Sequence, residues 1–93
     1  MKTGLFKVEN VVDGNTIIVS PRWQWHNETG NNVIINNFSK ITDNFLLARL
    51  RSLLGNREVE LKNPIKVEGG AVYCYIFLDG VNIKNYFPEL QPH

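Results

Sequence analysis

Ninety-three residues supply one domain: a chain of this length buries roughly 60–65% of its unfolded surface, enough to fold unaided and too little for two cores. Ten Lys/Arg against nine Asp/Glu leave a net charge of +1, which excludes tight binding to bare nucleic acid by charge alone while leaving room for a local patch. A single cysteine, Cys74, excludes an internal disulfide and any cysteine-based metal cluster. Its apolar surroundings, Tyr73-Cys74-Tyr75-Ile76-Phe77-Leu78, predict a small buried hydrophobe. No charged-then-apolar leader and no apolar run of about 18 residues occurs, so neither a signal peptide nor a membrane span is expected, and a reducing, cytoplasmic setting fits.

In chain order, Gly4 to Val12 alternates imperfectly and reads as a first strand, bent near Glu9-Asn10. Asp13-Gly14 between Val11-Val12 and Thr16-Ile17-Ile18-Val19 is a two-residue hairpin signal between β-branched runs. Ser20-Pro21 closes the second strand, because proline donates nothing to a sheet ladder. Arg22 to Asn32 reads as a polar, insertion-like loop carrying both tryptophans, although the Trp23-Gln24-Trp25 alternation also allows a strand extended into it. Val33-Ile34-Ile35 is a short third strand.

A helix follows over Asn44 to Leu54. Thr42 or Asp43 can cap it, and Leu46, Leu50, Leu53 and Leu54 recur at helical spacing. Gly55-Asn56 ends it, with glycine expected in the left-handed terminal position, and Arg49 and Arg51 suit the dipole of its C-terminal half. Glu58-Val59-Glu60-Leu61-Lys62 is a half-buried strand with charge outward. Asn63-Pro64 breaks it, and Ile65-Lys66-Val67 is a short edge segment. Ala71 to Leu78 is the strongest strand, with Tyr73, Tyr75 and Phe77 on one face and Val72, Cys74, Ile76 and Leu78 on the other. Asp79-Gly80 turns it into Val81-Asn82-Ile83. Asn85 to Pro88 is expected to fold back before a short frayed tail. Residues 1–93 thus form one β-rich, all-β domain: a five-stranded OB-fold barrel with a helix between strands 3 and 4.

Three blocks in series sharpen this reading: Val11-Val12-Asp13-Gly14-Asn15-Thr16, the helix with Gly55-Asn56-Arg57-Glu58-Val59-Glu60-Leu61, and Ala71 to Ile83 with Asp79-Gly80 at its tip. Together they resemble the staphylococcal nuclease-like (thermonuclease) family, whose later helices are largely missing here. The resemblance implies an OB barrel. It also implies a site in which carboxylates hold calcium, an acid positions water, and two arginines clamp the phosphate. A hard cation needs several oxygen ligands, and charge developing on phosphate needs preorganised cations.

The chemistry is where this sequence departs from the pattern. Asp13 matches the first acid, but Asn15 stands at the second. Isoleucine at Ile34 takes the place of the first arginine. Ser39 and Thr42 fall where acids belong, with Asp43 available if the register slips by one. Gly69-Gly70-Ala71 holds no second arginine. Loss of one electrostatic stabiliser costs ~10²–10³ in rate, so loss of both arginines and two or three carboxylates leaves no working constellation. The expected function is a non-catalytic binding module with no cofactor and no membrane contact. A protein partner or self-association is favoured over single-stranded nucleic acid. The alternative is a degenerate calcium-dependent phosphodiesterase acting through Asp13, Asn15 and Asp43, the one reading that calls for calcium.

Asp13 and Asn15 are also sufficient as turn residues, bonding their own backbone. His26 has only the terminal His93 as a possible histidine partner, so no zinc site is expected. Arg22, Trp23, Trp25 and His26 form the candidate binding cluster, whose two tryptophans share a strand face. They could pack over the barrel's open end, contact a protein, or stack bases beside Arg22. Tyr73 and Tyr75 are candidates of the same kind, although an aromatic stripe in so small a domain is expected in the core. Arg49, Arg51 and Arg57, around one helix end, read as a solvated face.

Overall fold

The computed structural model describes residues 4–90. Its strands are β1 (Leu5–Asp13), β2 (Thr16–Trp25), β3 (Glu28–Ile35), β4 (Glu58–Glu68), β5 (Ala71–Leu78) and β6 (Val81–Asn82), with the helix α1 (Asn44–Leu54) between β3 and β4. Strand order is β3-β2-β1-β4-β5-β6, and a parallel pairing of β3 with β5 closes the first five strands into a barrel. That parallel pair needs a crossover, and α1 belongs to it. This is the five-stranded barrel with one helix between strands 3 and 4 that the sequence predicts.

Local chemistry explains the elements. Asp43 caps α1, its Oδ1 accepting the Leu46 N–H at 3.0 Å. Leu50 and Leu54 carry the helix into a core shared with Phe6, Val8, Val19 and Ile76. The expected bend in β1 is a register shift between Val8 and Asn10. There the chain after α1 adds its own ladder bonds: the Val8 N–H donates to the Arg57 carbonyl at 2.8 Å, and the Asn56 N–H to the Val8 carbonyl at 3.1 Å.

Four expectations are corrected. Ser20-Pro21 does not close the second strand: β2 runs through the proline to Trp25, and the proline falls where the register against β3 shifts between Ile18 and Trp23, a place in a sheet that tolerates a residue without an N–H. The stretch Arg22 to Asn32 is no polar loop but the outer half of a long β2–β3 hairpin, turned by His26 and Asn27 at φ 50° and 65°. Positive φ at both turn positions matches the twist of the flanking strands, and asparagine tolerates it better than most residues. At the end of α1, Gly55 has φ −55° and Asn56 takes the left-handed position at φ 60°. Glycine is required at 55 for space, since a Cβ there would stand 2.8 Å from the Arg51 carbonyl oxygen. Finally, Ile65-Lys66-Val67 is not a separate segment: β4 runs on through Asn63-Pro64 with a register shift against β5 between Lys62 and Lys66.

The C-terminal segment does fold back. Short 3-10 turns at Ile83–Tyr86 and Pro88–Leu90 bury Ile83 and Phe87, and Phe87 meets Phe38 edge-to-face at 5.6 Å. His93 and the end of the expected tail lie outside the described residues. No described helix is long and apolar enough to cross a membrane.

Candidate functional site

The first candidate is the β1–β2 turn. Gly14 and Asn15 form it, and the chain after β3 folds directly onto it, the Ile41 N–H donating to the Gly14 carbonyl at 3.2 Å. A Cβ on residue 14 would stand 2.1 Å from the Ile41 carbonyl oxygen. Glycine is therefore needed for close approach, not for a positive φ, which neither turn residue adopts. This packing brings Lys40 to Asp13: the ammonium lies 3.7 Å from Oδ2, while Oδ1 accepts the Asn15 N–H at 3.1 Å. The Asn15 side-chain oxygen in turn accepts the Thr16 hydroxyl at 3.2 Å.

Partial burial pushes the Asp13 carboxyl up, but bonds from Asn15 and Thr16 and the Lys40 ammonium outweigh it and leave the group below its ordinary range. A carboxyl lowered in the folded state contributes stability above its unfolded value, near pH ~3.9, and loses that contribution as pH falls through the folded value. The stability gap between wild type and Asp13→Ala is therefore expected to narrow on acidification from neutral pH toward pH ~3, read from urea midpoints at each pH. A gap that widens on acidification would reverse the assignment.

Asp43 is the helix cap, while Ser39 and Thr42 are exposed. Ile34 is half-buried beside Tyr73, and Ala71 is buried. Arg49 bonds Glu89 at 2.8 Å and lies over the Phe87 ring at 4.8 Å, and Arg57 bonds Asp79 at 3.0 Å. Both arginines therefore tie down the C-terminal half instead of facing Asp13. Among the described residues, no group of three His, Cys, Asp or Glu side chains is placed to hold a metal ion. Cys74 is buried, and desolvation pushes its thiol up to about 12, too high for a nucleophile.

The second candidate, the tryptophan hairpin, does not assemble as a stacking platform. Trp23 is 0% exposed, and its Nε1 donates to the Asn32 carbonyl at 2.8 Å. Trp25 is half-buried against the core with its ring 4.3 Å from that of His26, edge-on. The two tryptophans do share a face, and it is the inner one. Arg22 and His26 remain exposed, without an accessible tryptophan pair between them.

The third candidate reverses an expectation. Tyr73, Tyr75 and Phe77 do not fill the core; they stand half-buried on the outside of the barrel, while Val72, Cys74, Ile76 and Leu78 fill it. The interior of a five-stranded barrel is narrow, and the aliphatic face of β5 fits it better than three rings. Lys66 and Lys62 on β4 each hold an ammonium 4.6 Å from a ring centroid, over Tyr73 and Phe77 respectively. Lys66 also pairs with Glu68 at 2.9 Å and Lys62 with Glu60 at 3.9 Å. Periodicity identified this stripe but not the side of the barrel on which it lies.

The fold and these side chains define a small closed β-barrel with an aromatic outer face and a self-contained β1–β2 turn. No family model matches the chain, and neither a curated protein nor a solved structure matches it significantly.

Proposed function

We propose that this chain is a non-catalytic binding module on a staphylococcal nuclease-like barrel, acting through contact with protein. The observation that carries this reading is the Asp13–Lys40 pair. At the position where the resembling nucleases hold a divalent cation, the carboxylate faces an ammonium of its own chain. The same turn uses the remaining oxygen of Asp13 and that of Asn15 for local hydrogen bonds. Hydrophobic residues at Ile34 and Ala71, where arginines would clamp a phosphate, support the reading further.

The test is phosphodiester cleavage of single- and double-stranded DNA, with calcium and with chelator. No cleavage above background is expected in either. Calcium-dependent hydrolysis that disappears in Asp13→Ala would establish the degenerate nuclease instead.

A further inference from the structure

We infer that Asp79-Gly80, at the tip of the β5–β6 hairpin, is a site of spontaneous modification: Asp79 isomerises to L-isoaspartate in the folded protein, while the other Asp-Gly pair of the chain, Asp13-Gly14, is held shut by the fold. The inference stands apart from the binding reading above. The reaction needs only water. The Gly80 amide nitrogen bonds to Asp79 Cγ, and the amide proton and the hydroxyl of the protonated carboxyl leave as water, closing a five-membered succinimide. Water then opens the ring at the former main-chain carbonyl, so the main chain runs through Cγ and the old main-chain carbonyl becomes the free carboxylate. Glycine favours ring closure because no Cβ crowds the attacking nitrogen.

The two pairs share this chemistry and differ in their surroundings. The Asp79 side chain is 71% exposed, and nothing lies within 4 Å of where a Cβ on Gly80 would stand. Asp79 and Gly80 form a two-residue turn with φ 53° and 79°, a geometry whose own hydrogen bond joins the flanking Leu78 and Val81 and leaves the Gly80 N–H out of the ladder. Ring closure requires the turn to swing open. A β6 of only Val81–Asn82 makes that opening local and cheap. Arg57 holds Asp79 Oδ2 at 3.0 Å, but a solvent-exposed pair restrains little. At the other pair, Asp13 Oδ1 accepts the Asn15 N–H, and the Ile41 backbone donates to the Gly14 carbonyl and fills the space beside that glycine. Swinging Asp13 Cγ onto the Gly14 nitrogen would break both contacts. At Asp79 the product lengthens the main chain by one carbon and shortens the side chain, so it withdraws the carboxylate from Arg57 and misaligns the turn that leads to the buried Ile83 and Phe87.

The test is peptide mapping by mass spectrometry of the full chain after weeks in warm, mildly acidic water carrying a heavy oxygen isotope. The Asp79 peptide is expected to split into two species, the new one containing isoaspartate and a heavy oxygen from ring opening, with the Asp13 peptide unchanged in the same sample. In urea the two sites should convert at similar rates. Gly80→Asn should convert severalfold more slowly at residue 79, and Asp79→Glu, which would need a six-membered ring, should not convert; thermal melts confirm that each variant folds. No isoaspartate at residue 79 in the folded chain would overturn the inference, as would conversion indifferent to Gly80→Asn. So would an Asp13 that keeps pace with Asp79 in the folded chain, or that lags equally in urea, because the fold would then not be what separates them.

Discussion

Trp23→Ala is expected to destabilise the fold by about 3–5 kcal/mol, the range for truncating a large buried aromatic. The residue is fully buried, and the outer half of the β2–β3 hairpin is built around it. Its indole N–H donates to the Asn32 carbonyl, its own carbonyl accepts the Thr29 hydroxyl at 2.8 Å, and Gly30 lies against the ring. A Cβ on residue 30 would stand 2.9 Å from the indole, so the glycine opposite is part of the same fit. Trp23→Phe keeps most of the packing but leaves the Asn32 carbonyl without its donor, a penalty of about 1–3 kcal/mol if that oxygen stays dry. Urea unfolding followed by far-UV circular dichroism reads both variants. If Trp23 were a solvent-facing base platform, its loss would change stability by no more than about 0.5 kcal/mol, as surface substitutions do.

Gly14→Ala is the second large effect, about 1–3 kcal/mol or more from overpacking, because the new methyl would collide with the Ile41 backbone and not with a movable side chain. Gly14→Asn separates two explanations. If residue 14 were glycine to permit a positive φ, asparagine would restore much of the loss; since the requirement is space, asparagine is expected to be at least as damaging as alanine. Gly80 provides the contrast. It sits at φ 79° in the β5–β6 turn with nothing near its missing Cβ, so Gly80→Asn is expected to be mild. Urea midpoints of the three variants check the ordering. Equal tolerance of asparagine at 14 and 80 would show that the turn, not the Ile41 contact, sets the requirement. The Gly14 contact also holds Lys40 beside Asp13, so Gly14→Ala should reduce the pH dependence assigned to that carboxylate as well.

Much of the barrel was legible because its signals are local. An aspartate before a leucine-spaced run marks the start of α1. The pair Asp79-Gly80 marks a hairpin, and both residues indeed take positive φ, 53° and 79°. Alternation in Glu58 to Lys62 places Val59 and Leu61 inward, as found. The β2–β3 hairpin was harder to read because His26-Asn27 is a weak turn signal within a polar stretch. Asparagine richness was the available clue: Asn27, Asn37, Asn56 and Asn63 all occupy left-handed positions.

What the sequence by itself determined is the order of the elements, the helix bounds and the near-neutral charge. Each is a property of residue type and short-range spacing. The tertiary structure alone decided which face of β5 looks outward, since both faces are apolar and a period of two cannot tell inside from outside. It alone turned Trp23 inward, closed Ile41 over Gly14, and brought Lys40 to Asp13. Those contacts join residues distant along the chain, and only barrel closure, through the pairing of β3 with β5 and of β1 with β4, fixes where such residues meet.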